Sequence, residues 1–305
     1  MATVLSTTVS NVALFPPELS NQVFLGTRGK SVISQLCAAQ PVAFNGNKEF
    51  TFSLDKEIDL VAENGAKGVG GATVGTRTIT PLKVEYGIRV SDEFMYASEE
   101  ARVDFMAPAV EGFARKLARG LDLMAIHGIN PRTATAAALI GTNCFNGAVS
   151  QTVTRPASNP PTADALVESA IALVQGNDLD VTGLAMAPAL RSDLAALTTS
   201  GGAKMYPELA WGNAPGAING LSVGVNSTVS AVTANKLLGI VGDFQEGFRW
   251  GYAKDISMEI IPYGNPDNDA TLGDLKGHNQ IYLRFEAYLG WAVLEPNAFA
   301  LIKTA

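Results

Sequence analysis

Residues 49 to 60 read Glu49-Phe50-Thr51-Phe52-Ser53-Leu54-Asp55-Lys56-Glu57-Ile58-Asp59-Leu60: polar at every odd position and, apart from Lys56, apolar at every even one. Period-two alternation is the signature of a strand with one greasy face. A glycine-rich stretch, Glu63-Asn64-Gly65-Ala66-Lys67-Gly68-Val69-Gly70-Gly71, follows as a turn region. The even positions then become apolar again at Leu82, Val84, Tyr86, Ile88 and Val90, with Arg77, Lys83 and Arg89 on the odd side. The two runs predict a long antiparallel hairpin with Phe50 opposite Ile88, Phe52 opposite Tyr86 and Leu54 opposite Val84. The same register sets Glu49 against Arg89 and Asp55 against Lys83. An arm of about twelve residues reaches roughly 40 Å at ~3.3 Å per residue, and a lone two-stranded ribbon is marginal in water. Its apolar face therefore needs a cover, either the core of its own domain or a neighbouring copy of the chain.

Outward from the hairpin the period changes. Residues 1 to about 30, rich in Ser, Thr, Val and Asn, read as an extended arm, and Ser31 to Ala39 as a short helix or a strand leading into the hairpin. Ser91 can cap a helical turn from Asp92 to Ala97, and Ser98 a second helix that opens with Glu99-Glu100. Met106, Val110, Phe113, Leu117, Leu121 and Met124 then form one stripe of a long helix ending near His127-Gly128, with Pro108 as a kink or its true first turn. Residues 128 to 160 are loop-like and mark a domain crossing. Thr162 caps a helix that exits at Gly176; Leu184 to Ala187 is a strand; Pro188 opens a helix stopped at Gly201-Gly202. Strands follow at 221–225, 237–241, 248–253 and 256–261, then a long alternating run from Ile281 to Val293 and an apolar end from Ala298 to Ile302.

The 305 residues suffice for one large domain or two, and 47% hydrophobic with 17% charged is a core-forming composition. No apolar run approaches the ~18 residues of a membrane span, and Met1 to Thr8 lack the basic region of a signal peptide, so folding in a cytosol is expected. Cys37 and Cys144 stand far apart and read as buried small hydrophobes. A net charge of −7 with scattered Lys and Arg predicts only weak, non-specific contact with nucleic acid.

Catalytic patterns are missing where they are sought. Gly29-Lys30-Ser31 has Phe24 where a phosphate-binding loop needs glycine, and Gly68-Val69-Gly70-Gly71 has Thr73 at the third glycine of the dinucleotide pattern. His127 and His278 have no ligand at metal spacing, and Asp55, Glu57, Asp59 and Glu63 read as solvated or ion-paired strand residues. Neither an enzyme nor a cofactor is expected.

The order of elements, together with three phrases, resembles the tailed-bacteriophage major capsid proteins of the Hong Kong 97 type. The phrases are Pro81-Leu82-Lys83-Val84-Glu85-Tyr86-Gly87-Ile88-Arg89-Val90-Ser91-Asp92-Glu93, then Asp122-Leu123-Met124-Ala125-Ile126-His127-Gly128, and the ending from Tyr282 to Phe299. Gly242-Asp243-Phe244 followed by Phe248-Arg249-Trp250-Gly251 resembles a hairpin of that family's axial domain. The resemblance implies an α+β, Hong Kong 97-like capsid fold. An N-terminal arm and lead-in would span 1–44, an extended hairpin loop 45–82, a peripheral domain with a long spine helix 83–158 plus 281–305, and an axial domain 159–280. It implies a major capsid protein that self-assembles through hexamers and pentamers into an icosahedral shell around phage double-stranded DNA. Its other partners would be a portal and a separate scaffold or decoration protein, with no membrane. Its location would be the virion capsid, assembled in the host cytoplasm. On the hairpin, Leu54, Ile58, Leu82 and Val84 are expected to supply apolar contacts between subunits, and Arg77 and Lys83 ion pairs that guide docking. Some members join subunits by a Lys to Asn isopeptide bond; Lys56 and Lys67 lie on the hairpin, but no asparagine matches, and noncovalent locking is expected. An encapsulin-like compartment is the alternative on the same fold. An α+β enzyme built from Asp243, His278 and Glu286 is the alternative from another class.

Overall fold

The computed structural model describes residues 31–54, 56–96, 99–232 and 236–305. The expected arm over residues 1–30 and the cap at Ser98 lie outside the described residues. In chain order the elements are α1 (Val32–Leu36), β1 (Asn47–Leu54), β2 (Ala72–Ile79), β3 (Leu82–Ser91), α2 (Glu99–His127), α3 (Phe145–Ala148), β4 (Thr152–Arg155), α4 (Ala163–Gln175), β5 (Gly183–Met186), α5 (Pro188–Ala196), β6 (Ala217–Ile218), β7 (Leu221–Val225), β8 (Leu237–Gly242), β9 (Phe248–Ile261), β10 (Gln280–Val293) and β11 (Phe299–Thr304). Among the described residues these form three sheets: the ribbon β1-β2, an antiparallel sheet β3-β10-β9, and a mixed sheet β4-β11-β8-β5-β7-β6.

The hairpin is real but its second strand is not the expected one. β1 pairs with β2, placing Phe50 opposite Thr76, Glu49 opposite Arg77 and Leu54 opposite Ala72. The run from Leu82 to Val90 belongs to β3 and pairs with β10, Val84 opposite Ala287 and Ile88 opposite Leu283. The cause is physical: alternation fixes which face of a strand is apolar but not which strand lies beside it. β2, Ala-Thr-Val-Gly-Thr-Arg-Thr-Ile, is held by β-branched residues rather than by a greasy stripe. The expected charge pairs dissolve accordingly. Lys83 Nζ meets Glu286 Oε1 at 2.5 Å, Arg89 grips Asp267, and Glu49 Oε1 lies 2.7 Å from Arg249 Nη1.

The long helix α2 buries its expected stripe, Met106, Val110, Phe113, Leu117, Leu121 and Met124, against the β3-β10-β9 sheet, with Phe113 stacked on Phe285 at 5.3 Å. Arg115, Lys116 and Arg119 stay on the exposed side, and Pro108 lies within the helix. Leu82, Val84, Ile88 and Val90 are half-buried against the same core. Val84→Asp is therefore expected to destabilise the isolated subunit by about 2 kcal/mol or more, because it sets a charge against packed apolar atoms. A denaturant titration of unassembled protein checks this.

The strands expected at 248–253 and 256–261 form the single strand β9, whose pairing with β10 shifts register between Glu286 and Leu289. A bulge of this kind bends a strand without ending it, so the polar interruption is not a turn. α5 closes at Ala196, earlier than Gly201. Gln40 N–H donates to Trp250 O at 2.9 Å and Val42 N–H to Tyr252 O at 3.2 Å, running the lead-in along β9. Gly251 permits this approach, since a Cβ there would meet Gln40 O at 1.5 Å. The second core lies between α4, α5 and the six-stranded sheet, built from Leu166, Ala170, Val174, Leu190, Leu238 and Ile302 among others. β9 joins the three-stranded sheet, while β4 and β11 join the six-stranded one.

Candidate assembly surface

The ribbon is anchored at its root and bare along its length. At the root, Gly46 turns the chain at φ +84°, where a Cβ would meet Ile79 O at 2.9 Å, and Ala43 N–H donates to Asn47 Oδ1 at 2.9 Å. Ile79 is fully buried in a small core with Val42 and Ala292. Beyond it the apolar side chains emerge. Phe50 is 72% exposed, Phe52 66%, Leu54 71% and Val74 61%, and Ile58 and Leu60 are 99% exposed at the tip. The tip has no regular element; Lys56 Nζ donates to Val69 O at 2.8 Å, and a turn closes from Gly65 N–H to Ala62 O at 2.8 Å. Full burial of one such side chain is worth roughly 1.5–3 kcal/mol. A contiguous stripe left in water marks a surface made for another.

Of the six expected contact residues, Leu54, Ile58 and Arg77 lie on this ribbon. Leu82, Lys83 and Val84 do not; they open β3, with Lys83 tied to Glu286. The reading of the sequence missed Val74, which faces Phe52 across the ribbon. Its signal was a lone Val among threonines in a stretch that looked like a continuation of the turn.

The lead-in that enters this surface is fixed by a buried carboxylate. Asp122, on the penultimate turn of α2, accepts from Ser31 Oγ at 2.5 Å, Val32 N–H at 3.1 Å, Ile33 N–H at 3.3 Å and Thr228 Oγ1 at 2.7 Å. It thereby satisfies the first amides of α1 and joins three segments distant in sequence. Burial pushes the Asp122 carboxyl above the usual carboxylate range, against the opposing pull of those hydrogen bonds. The sequence signal for it was a lone acid inside the apolar run Leu121 to Ile126.

One turn on, His127 Nε2 lies 2.9 Å from Thr228 O, and burial lowers its pKa below the ordinary 6.5. A depressed histidine contributes fully above its ordinary value and loses that contribution as pH falls through the folded value. Asp122, raised, acts in the opposite sense: its contribution is full below the ordinary 3.8 and is lost as pH rises through the folded value. The advantage of wild type over His127→Gln in Tm is thus expected to shrink as pH drops below 6.5. Melting of unassembled subunits on either side of that pH reads it; a constant difference would exclude His127 as the titrating group.

The three residues of the enzyme alternative are not assembled. Asp243 Oδ1 accepts from Thr182 Oγ1 at 2.9 Å and from the amides of Gln245 and Glu246, Glu286 is paired with Lys83, and His278 sits in an exposed turn. Two surface clefts, one at the hairpin root and one beside α4, are lined by none of them.

Comparison with known proteins agrees with this geometry. A solved structure from Mycobacterium phage Ogopogo superposes with a TM-score of 0.76 at 30% identity, over 90% of this chain and 92% of that one. One from Gordonia phage Cozz gives 0.73 at 25% identity, over 90% and 87%. The capsid of an empty GTA particle shares the fold at 17% identity, TM-score 0.63, over 90% of both chains. Among curated proteins there is no match. The family model for phage capsid proteins matches residues 12–304, nearly the whole length, and the chain belongs to the phage capsid family.

Proposed function

We propose that this chain is the major capsid protein of a tailed phage, closing through pentamers and hexamers into an icosahedral shell around double-stranded DNA. The carrying observation is the ribbon: an anchored root, an exposed apolar face and a tip whose Ile58 and Leu60 are almost wholly exposed. A surface of that kind, repeated on identical copies, closes shells through symmetric contacts. The peripheral part is α2 with the β3-β10-β9 sheet, and the axial part is α4 and α5 on the six-stranded sheet. Leu54, Ile58 and Arg77 are the subunit contacts on the hairpin. A portal, a separate scaffold or decoration protein and weakly held DNA complete the partners, with assembly in the host cytoplasm. The fold's role is mechanical, and the chain performs no reaction.

Negative-stain microscopy of the purified protein tests the reading. Uniform hollow particles are expected. Particles isolated from infected cells should hold DNA; a protein cargo inside them would instead mark an enzyme compartment.

A further inference from the structure

We propose that Trp211 of one copy docks into the cleft beside α4 of a second copy, as a contact separate from the hairpin; this rests on the shell reading above. Trp211 is wholly exposed and holds φ +57°, a left-handed conformation that bulky side chains rarely adopt. Its neighbours lock it there. Arg191 Nη1 donates to Leu209 O at 3.2 Å and to Asn213 O at 3.5 Å, on either side of the tryptophan, and Asn213 Nδ2 donates to Glu208 O at 2.9 Å. Gly212 continues the turn at φ +84°. Backbone strain of this kind persists where function requires it, and tryptophan is among the commonest anchors of protein interfaces. The indole is presented to a partner.

The cleft, about 450 Å³, has the complementary chemistry. Buried Leu184, Leu194 and Val223 give it an apolar floor, while Asp164, Glu168 and Asp180 line it with no cation among the lining residues. The negative charge is unbalanced. It reaches Tyr206 in the same lining, whose hydroxyl is pushed up first by burial and then by Asp164, Glu168 and Glu208. Asp164 Oδ1 accepts no hydrogen bond among the described residues. An indole answers each feature, with a ring body for the floor and a positive edge and an N–H for the carboxylates; such a side chain buries roughly 150–250 Å². The cleft at the hairpin root offers Arg77 and a row of threonines instead, which suit that edge less. The occupant is a second copy, because each chain holds its own Trp211 out in solvent. A knob and a hole at different places on one chain make a head-to-tail contact, and repetition of such a contact closes rings.

Tryptophan emission tests the docking, since Trp250 and Trp291 are buried and Trp211 alone meets solvent. In separated subunits, acrylamide should quench the part of the emission that Trp211→Phe removes; in closed particles that quenching should fall at least fivefold. A nitroxide attached to Glu168→Cys should quench Trp211 in particles and spare it in separated subunits. The native thiols take little label, since Cys37 and Cys144 are buried and burial pushes Cys37 up to about 11. In parallel, Trp211→Ala should lower particle yield at least tenfold with the Tm of the subunit unchanged. Closed particles in which acrylamide still reaches Trp211, in which the nitroxide leaves it bright, or which form from Trp211→Ala as from wild type would overturn the docking and leave the shell reading intact. A wild-type chain that forms no particles would overturn both.

Discussion

Leu54→Asp combined with Ile58→Asp is expected to abolish shell formation while leaving the subunit folded at wild-type stability. The two side chains are 71% and 99% exposed in the single chain, so their replacement removes no packing from it, and surface changes of this kind usually stay within about 0.5 kcal/mol. In the proposed shell the same positions are the ones assigned to contact with another subunit. Each loses roughly 1.5–3 kcal/mol of apolar burial and adds the cost of desolvating an unpaired carboxylate. The sum is about 5 kcal/mol or more per contact, more than a thousandfold in affinity. Repetition over every copy turns that into an all-or-none loss of closed particles. Sedimentation velocity should show monomers or small oligomers with unchanged Tm. Normal particles from the double variant would remove the ribbon from the assembly mechanism.

Asp122→Ala is expected to have the largest effect on the subunit itself. The change leaves two buried hydroxyls, Ser31 and Thr228, and the amides of Val32 and Ile33 without their acceptor. A buried donor left unpaired costs about 1–3 kcal/mol, so even with partial relaxation the loss is about 3–5 kcal/mol. That corresponds to a fall in Tm on the order of 10 °C for a chain of this size. Hydrogen exchange should rise first at Val32 to Leu36 and at Ser227 to Ser230, the segments the carboxylate holds to α2. Destabilisation without that local pattern would mean that Asp122 matters for packing of the helix rather than for tethering the lead-in.

How far the sequence speaks depends on where the information is local. The 3.6-residue stripe from Met106 to Met124 determines α2 because a helix face is written within its own segment, and Pro188 and Thr162 locate the starts of α5 and α4 for the same reason. The apolar face of Phe50, Phe52 and Leu54 is likewise readable, and so is its need for a cover. Partner choice is not local. β1 and β3 share a phase, and nothing in either run says that Val84 faces Ala287 of β10 instead of Leu54. The expectation of hairpin contacts at Leu82, Lys83 and Val84 depends on that pairing, whereas Leu54, Ile58 and Arg77 depend on the ribbon alone. The β10 strand is continuous in sequence and in space, yet the chain after it crosses to the other sheet as β11, a step that periodicity cannot encode. Asp122 escaped notice because its role comes from the residues that converge on it, Ser31 and Thr228, each about a hundred positions away.

Hydroxyl-radical footprinting of Phe50, Phe52 and Leu54 in separated subunits and in closed particles tests the central claim most directly. Heavy labelling of all three in the subunit, falling several-fold on assembly, is the expected result. Equal labelling in the two states, or side chains already shielded in the isolated subunit, would contradict it.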